Sequence, residues 1–277
     1  MKIKLLFATL LALAGAAINS QAQSTDIVFT ASAGYTNGNL NGQNSNWTLG
    51  SAGTTTAWQV NTSGGGSATV TSNAPNYASI NFALGTRLTN GYSGLVDFSF
   101  TVGATNASAL NVVAFSVLDS SNIYHGPGFE LKAQPGGQFS FDIYNTAALT
   151  GGFVGTANFA GSNLGIANAN GTGTSANLRF IFTTYPTGVA GTNWTTVLTL
   201  SNLTTGLQVS TVVTANWTDA PGQGLASHVN LAAGALNTNT FSGSASVYQI
   251  IMGPNYYNLT YNAGANGTIS GTTPLIQ

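Results

Sequence analysis

An all-β fold, built as a two-sheet antiparallel jelly-roll sandwich, is what this sequence predicts, and three observations carry the prediction. Short β-branched and aromatic runs recur between Gly, Asn and Pro punctuation along the whole chain. Several alternate apolar and polar residues, as in Ile80, Phe82 and Leu84 or Phe98, Phe100 and Val102, so each strand has one face to pack and one to leave in water. No amphipathic helix is evident past the first two dozen residues. About a dozen strands at this spacing mean a sandwich or a barrel, and with no repeat of propeller period two large packed sheets follow.

The first residues, MKIKLLFATLLALAGAAINSQAQS, place Lys2 and Lys4 before an apolar run from Leu5 to Ile18 and the small-residue exit Ser20-Gln21-Ala22. That is the pattern of a secretory signal peptide, residues 1–22, cut after Ala22. The run is short of the roughly 20 residues of a membrane span, so the chain is expected to be secreted, at the cell surface or extracellular. Then come DIVFT (26–30), AWQVN (57–61) and ATVTS (68–72), the last two joined across Gly64-Gly65-Gly66. With no lysine following and no helix starting there, the triple glycine reads as a hairpin loop and not as a phosphate cradle. ASINFAL (78–84), LVDFSFTV (95–102) and VVAFSVL (112–118) follow, and Asp119-Ser120-Ser121-Asn122 forms a turn. GFELKA (128–133) and QFSFDIY (138–144) flank Pro135-Gly136-Gly137. LRFIFTTY (178–185), WTTVLTLS (194–201), LQVSTVVTA (207–215) and ASVYQIIM (245–252) complete the set. Residues 23–253 make one β-sandwich domain, and Pro254 opens a partial C-terminal repeat or linker, 254–277.

Composition excludes several functions. Charged residues are 4% of the chain, against about 25% in ordinary globular proteins. Five basic residues, two of them in the leader, cannot neutralise a phosphate backbone, which argues against nucleic acid and anionic membranes as partners. With no cysteine there is no disulfide, thiolate metal site or cysteine nucleophile. Thirty asparagines and 35 glycines carry the solubility instead, and amides and hydroxyls are groups that hydrogen-bond neutral sugars.

The stretches GYTNGNLNGQNSNWT (34–48), GPGFELKAQPGGQFSFDIYN (126–145) and SASVYQIIMG (244–253) resemble exported bacterial domains of the concanavalin A-like, laminin G-type jelly-roll class over most of residues 24–253. That resemblance implies carbohydrate or protein binding, with glycan cleavage in some members. LTYNAGANGTISGTTP (259–274) resembles the opening of an internalin-type B repeat, of which only the first strand and turn are present.

Chemistry has few residues to draw on. Asn46-Trp47-Thr48, Asn193-Trp194-Thr195 and Asn216-Trp217-Thr218 repeat one triplet. Sandwich tryptophans are mostly core; Trp217, just before Asp219-Ala220-Pro221-Gly222, is the candidate for stacking on a sugar ring. His125 and His228 lack metal-ligand spacing, and no Gly-x-Ser-x-Gly elbow sits on a strand-to-helix turn. The Glu-x-Asp-x-x-Glu strand of sandwich glucanases is ruled out because Glu130 is the one glutamate. If Pro135-Gly136-Gly137 closes a three-residue loop, Ala133 faces Phe139, Leu131 faces Phe141 and Phe129 faces Ile143. Glu130 then opposes Asp142 on the other, solvated face beside Lys132 and Tyr144. That pair admits calcium, a hard cation that seeks clustered oxygens, and no other cofactor is indicated. The expected ligand-binding residues are Glu130, Lys132, Asp142, Tyr144 and Trp217, with none catalytic. The reading is a secreted, non-catalytic recognition or adhesion module for an extracellular neutral glycan or surface polymer. A glycan-active hydrolase or lyase of the sandwich fold and a purely structural surface module are the alternatives.

Overall fold

A computed structural model describes residues 25–45, 47–49, 58–72, 78–88, 92–103, 110–118, 128–134, 137–144, 153–169, 171–186, 193–216, 226–233, 243–254, 258–259 and 275–276. The strands are β1 (Thr25–Val28), β2 (Gly38–Asn39), β3 (Trp47–Leu49), β4 (Trp58–Asn61), β5 (Ser67–Ser72) and β6 (Ala78–Leu88). They continue with β7 (Tyr92–Val102), β8 (Leu110–Leu118), β9 (Gly128–Gln134), β10 (Gln138–Tyr144), β11 (Phe153–Ala160) and β12 (Ser175–Pro186). The last are β13 (Asn193–Asn202), β14 (Gln208–Asn216), β15 (Ala226–Ala233), β16 (Gly243–Pro254), β17 (Asn258–Leu259) and β18 (Leu275–Ile276). Three short 3-10 turns, at Ala31–Ala33, Gln43–Ser45 and Gly161–Leu164, are the only helical segments among the described residues. No helix there is long and apolar enough to cross a membrane.

Two antiparallel sheets form the sandwich. A nine-stranded sheet runs β14-β13-β12-β7-β16-β5-β4-β2, with β1 also paired to β16, and a seven-stranded sheet runs β11-β10-β9-β8-β15-β6-β3. Among the described residues, the two strands β17 and β18 pair only with each other. The fold class is the expected jelly-roll sandwich, and the triple glycine is the expected hairpin loop, joining β4 to β5 with Asn61 opposite Ser67.

The core sits between the sheets and is strongly aromatic. On β7 the alternation read from sequence holds, since Phe98, Phe100 and Val102 are all buried. Phe100 meets Phe139 of the opposite sheet edge-on with ring centroids 5.9 Å apart, and Phe139 stacks on Phe159 at 5.9 Å. Each fully buried Phe contributes about 2–3 kcal/mol of transfer free energy. Trp47 and Trp58 are core residues as well, 1% and 2% exposed. Trp47 donates its indole N–H to the Tyr35 hydroxyl at 2.8 Å, which satisfies the one polar atom its ring brings inside.

Gly94 shows how closely side chains of neighbouring strands crowd the core face of the nine-stranded sheet. It lies between Phe182 and Met252 in the ladder, and a Cβ there would sit 2.4 Å from both Phe182 Cζ and Met252 Sδ. Gly94→Ala is expected to lower stability by about 1–3 kcal/mol through this overpacking, read as a fall in the urea midpoint at unchanged m-value.

Burial raises the pKa of Tyr35 above its ordinary value of 10.0, against the opposing hydrogen bonds from Trp47 and Asn44. The folded chain therefore holds this proton where the unfolded chain releases it. The Tyr35 contribution to stability is complete below about pH 10 and is lost as the pH rises through the raised folded value. Tyr35→Phe is expected to cost about 1 kcal/mol at pH 7, by taking an acceptor from Trp47. The same variant should lose less stability than wild type between pH 9 and about pH 11, which paired denaturation curves at the two ends would check.

Candidate functional site

The hairpin of β9 and β10 has the register that its apolar partners dictate. Ala133 pairs with Phe139, Leu131 with Phe141 and Phe129 with Ile143, so Glu130 stands directly opposite Asp142. Leu131, Ala133 and Phe139 are buried toward the core, which leaves the other face to Glu130, Lys132, Ser140 and Asp142. Neighbouring strands extend two rows across that face. Ala114, Glu130, Asp142 and Thr156 form one; Asn111, Lys132, Ser140 and Asn158 form the next. Tyr144 takes the position between Gly128 and Phe153.

One feature differs from the freely solvated face that alternation suggests. Ser140 is fully buried and Lys132 half-buried, while Asn158 at the end of the same row is exposed. The middle of the row is therefore closed to solvent at Ser140, and Lys132 and Asn158 are its positions that reach the surface. His228, set aside in the sequence for want of ligand spacing, is carried onto the same face by β15, opposite Leu118 and Ala83. By strand spacing it stands roughly 16 Å from Glu130, too far to share a proton or an ion with it. Trp217 and His125 lie outside the described residues. Among the described side chains no group of three or more His, Asp or Glu is placed to hold a metal ion.

The outer face of the nine-stranded sheet holds a second polar constellation, one that sequence reading missed because its members come from distant strands. Arg179 on β12 pairs with Asp97 on β7 and donates Nε–H and Nη2–H to its two carboxylate oxygens, each at 2.7 Å. The Asp97 hydrogen bond, with Coulomb attraction added, raises the Arg179 pKa against a smaller desolvation effect. On the other side of Asp97, β16 is bulged between Val247 and Gln249. The bulge residue, Tyr248, is 39% exposed and shares a 2.7 Å hydrogen bond with the Ser99 hydroxyl.

Neither a protein-family model nor a curated protein sequence matches the chain. Solved structures do. The CBM2 module of the evolved Dit of Lactobacillus casei BL23 phage J-1 covers 84% of this chain and 96% of its own, at 9% identity and a TM-score of 0.50. Lectin II from Ulex europaeus covers 84% and 99%, at 14% identity and a TM-score of 0.47. The PL-14 alginate lyase of Aplysia kurodai covers 71% and 86%, at 8% identity and a TM-score of 0.49. At such identities the likeness concerns the fold.

Like charges opposed across a strand pair cost about 0.2–1 kcal/mol. Glu130→Gln or Asp142→Asn is therefore expected to raise the unfolding free energy by that amount at pH 7. Paired chemical denaturation of wild type and variant at pH 7 would show it as a higher urea midpoint at unchanged m-value.

Proposed function

We propose that the chain is a secreted, non-catalytic recognition or adhesion module that binds neutral carbohydrate on the outer face of its seven-stranded sheet. The observation that supports this most is the polar row that carries Lys132 and Asn158 beside the opposed pair Glu130 and Asp142. An ammonium and an amide on this face offer donors and an acceptor to sugar hydroxyls. Two carboxylates against one ammonium repel an anionic polymer, so an uncharged glycan fits better than a uronic acid chain.

The same pair is the candidate for a calcium ion, held with neighbouring amide or backbone oxygens. The runner-up is a glycan-active enzyme. Opposed strand residues sit at about the 5–5.5 Å carboxyl spacing of retaining glycosidases, but any hairpin with two facing acids has it. Both acids also lie side by side on one strand pair, and His228, the histidine on that face, stands too far off to act with them.

A glycan array containing both neutral and uronic acid polymers tests the reading. Binding of neutral glycans that weakens in Lys132→Ala and Asp142→Asn is the expected result. Binding confined to uronic acid chains would refute it, and cleavage of any arrayed glycan that disappears in Glu130→Gln would refute the non-catalytic part. Calorimetry with calcium chloride on wild type and Asp142→Asn decides whether the metal belongs to the site.

A further inference from the structure

On the sheet opposite that face, a depression of about 380 Å³ is lined by Asp97, Phe98, Asn177, Leu203, Thr204 and Tyr248. Its position follows from a change of partner along β16. From Gly243 to Val247 this strand pairs with β5, and from Gln249 to Met252 it pairs with β1. Tyr248 falls between the two ladders and also has no partner on β7. An extra residue of this kind bends the strand and re-aims its side chain, and here it turns a tyrosine ring outward. The hydrogen bond to Ser99 fixes that ring in place.

The far wall is the turn between β13 and β14. Buried Asn202 anchors it, donating to the Leu164 carbonyl at 2.9 Å and accepting the Thr204 amide N–H at 2.9 Å. Leu203 is left 48% exposed at the rim. Asn177, exposed on β12, stands in the ladder opposite Ser99.

We infer that this depression is a second binding site, for a single neutral pyranose ring, which makes the module bivalent. Three properties select that ligand. A tyrosine ring and a leucine side chain, both kept in water, match the C–H face of a sugar. Asp97 and Arg179 neutralise each other, so neither an anion nor a cation is favoured over an uncharged ligand. The fork-like contact uses one acceptor site on each carboxylate oxygen and leaves others for sugar hydroxyls, with the Asn177 amide and the Thr204 hydroxyl nearby. The volume lies at the small end of ligand sites, as one ring requires.

The inference extends the carbohydrate reading to another face, and one experiment separates the two. The methyl α-pyranosides of glucose, galactose and mannose are titrated into isotope-labelled protein, with glucuronic acid and glucosamine as charged counterparts. Amide shifts are followed around 177, 204 and 248. At least one neutral glycoside should move these signals, with affinity about tenfold lower in Tyr248→Ala. Asn177→Ala, at an exposed position that leaves folding intact, should also weaken binding, and Asp142→Asn should leave it unchanged. Tyr248→Phe, which keeps the ring and loses only the contact to Ser99, should stay within about threefold of wild type. No response to any neutral glycoside, a stronger response to a charged sugar, or binding untouched by both Tyr248→Ala and Asn177→Ala would overturn the inference. If neutral glycosides bind and Asp142→Asn alone abolishes it, the seven-stranded face stands and this second site falls.

Discussion

The ladder between β7 and β16 is the constraint on which the rest of the sandwich depends. It runs antiparallel from Gly243 opposite Val102 to Pro254 opposite Tyr92, and it joins segments separated by most of the sequence. On its core side it sets Val96, Phe98 and Phe100 beside Ala245, Val247 and Ile250, all buried. A shift of one residue would carry this whole set to the outside and bring Asp97 and Ser99 into the core. On its outer side the same register places Asp97 next to Gln249 and Ser99 next to Ser246. Core and outer chemistry are thus fixed by one pairing.

The abundance of amides has a structural use that is separate from any ligand. Between β1 and β3 the chain has little regular pairing, and side chains hold it instead. The Gln43 amide accepts the Thr36 N–H at 3.0 Å and donates to the carbonyls of Thr36 and Asn39, at 2.9 and 2.6 Å. Asn44 takes up positive φ, which few residues other than Gly tolerate, and donates to the Ala33 carbonyl. Asn37 accepts from both the amide and the hydroxyl of Thr62. An uncharged, Asn-rich sequence can therefore reflect loops fastened by side chains as much as a surface suited to sugars, and only placement tells the two apart.

Where local pattern and burial agree, the sequence was readable. The hairpin around Pro135-Gly136-Gly137 is the clearest case, because only one register puts every apolar partner on a single side. Other strands gave no such signal. β11, FVGTANFA, and β15, ASHVNLAA, are rich in Ala, Gly and Asn, residues with little preference for a strand, and they pair because neighbouring strands offer them a ladder. The Asp97, Arg179 and Tyr248 grouping was hidden for another reason. Its members lie on β7, β12 and β16, and only the strand order of the sheet brings them together. The bulge at Tyr248 is likewise invisible in ASVYQIIM, since it reflects a change of partner and not a residue preference.

That β16 lies inside the nine-stranded sheet, between β7 and the strands β5 and β1, has a temporal consequence. A chain made from its N-terminus onward holds both flanks of the sheet before it holds the strand that joins them. Until about residue 254 is available, β7 on one side and β5 on the other present unpaired backbone edges, the kind that recruit strands from other molecules. Completion of this sandwich therefore waits for β16, and a chain stopped short of that strand is exposed to aggregation through those two open edges.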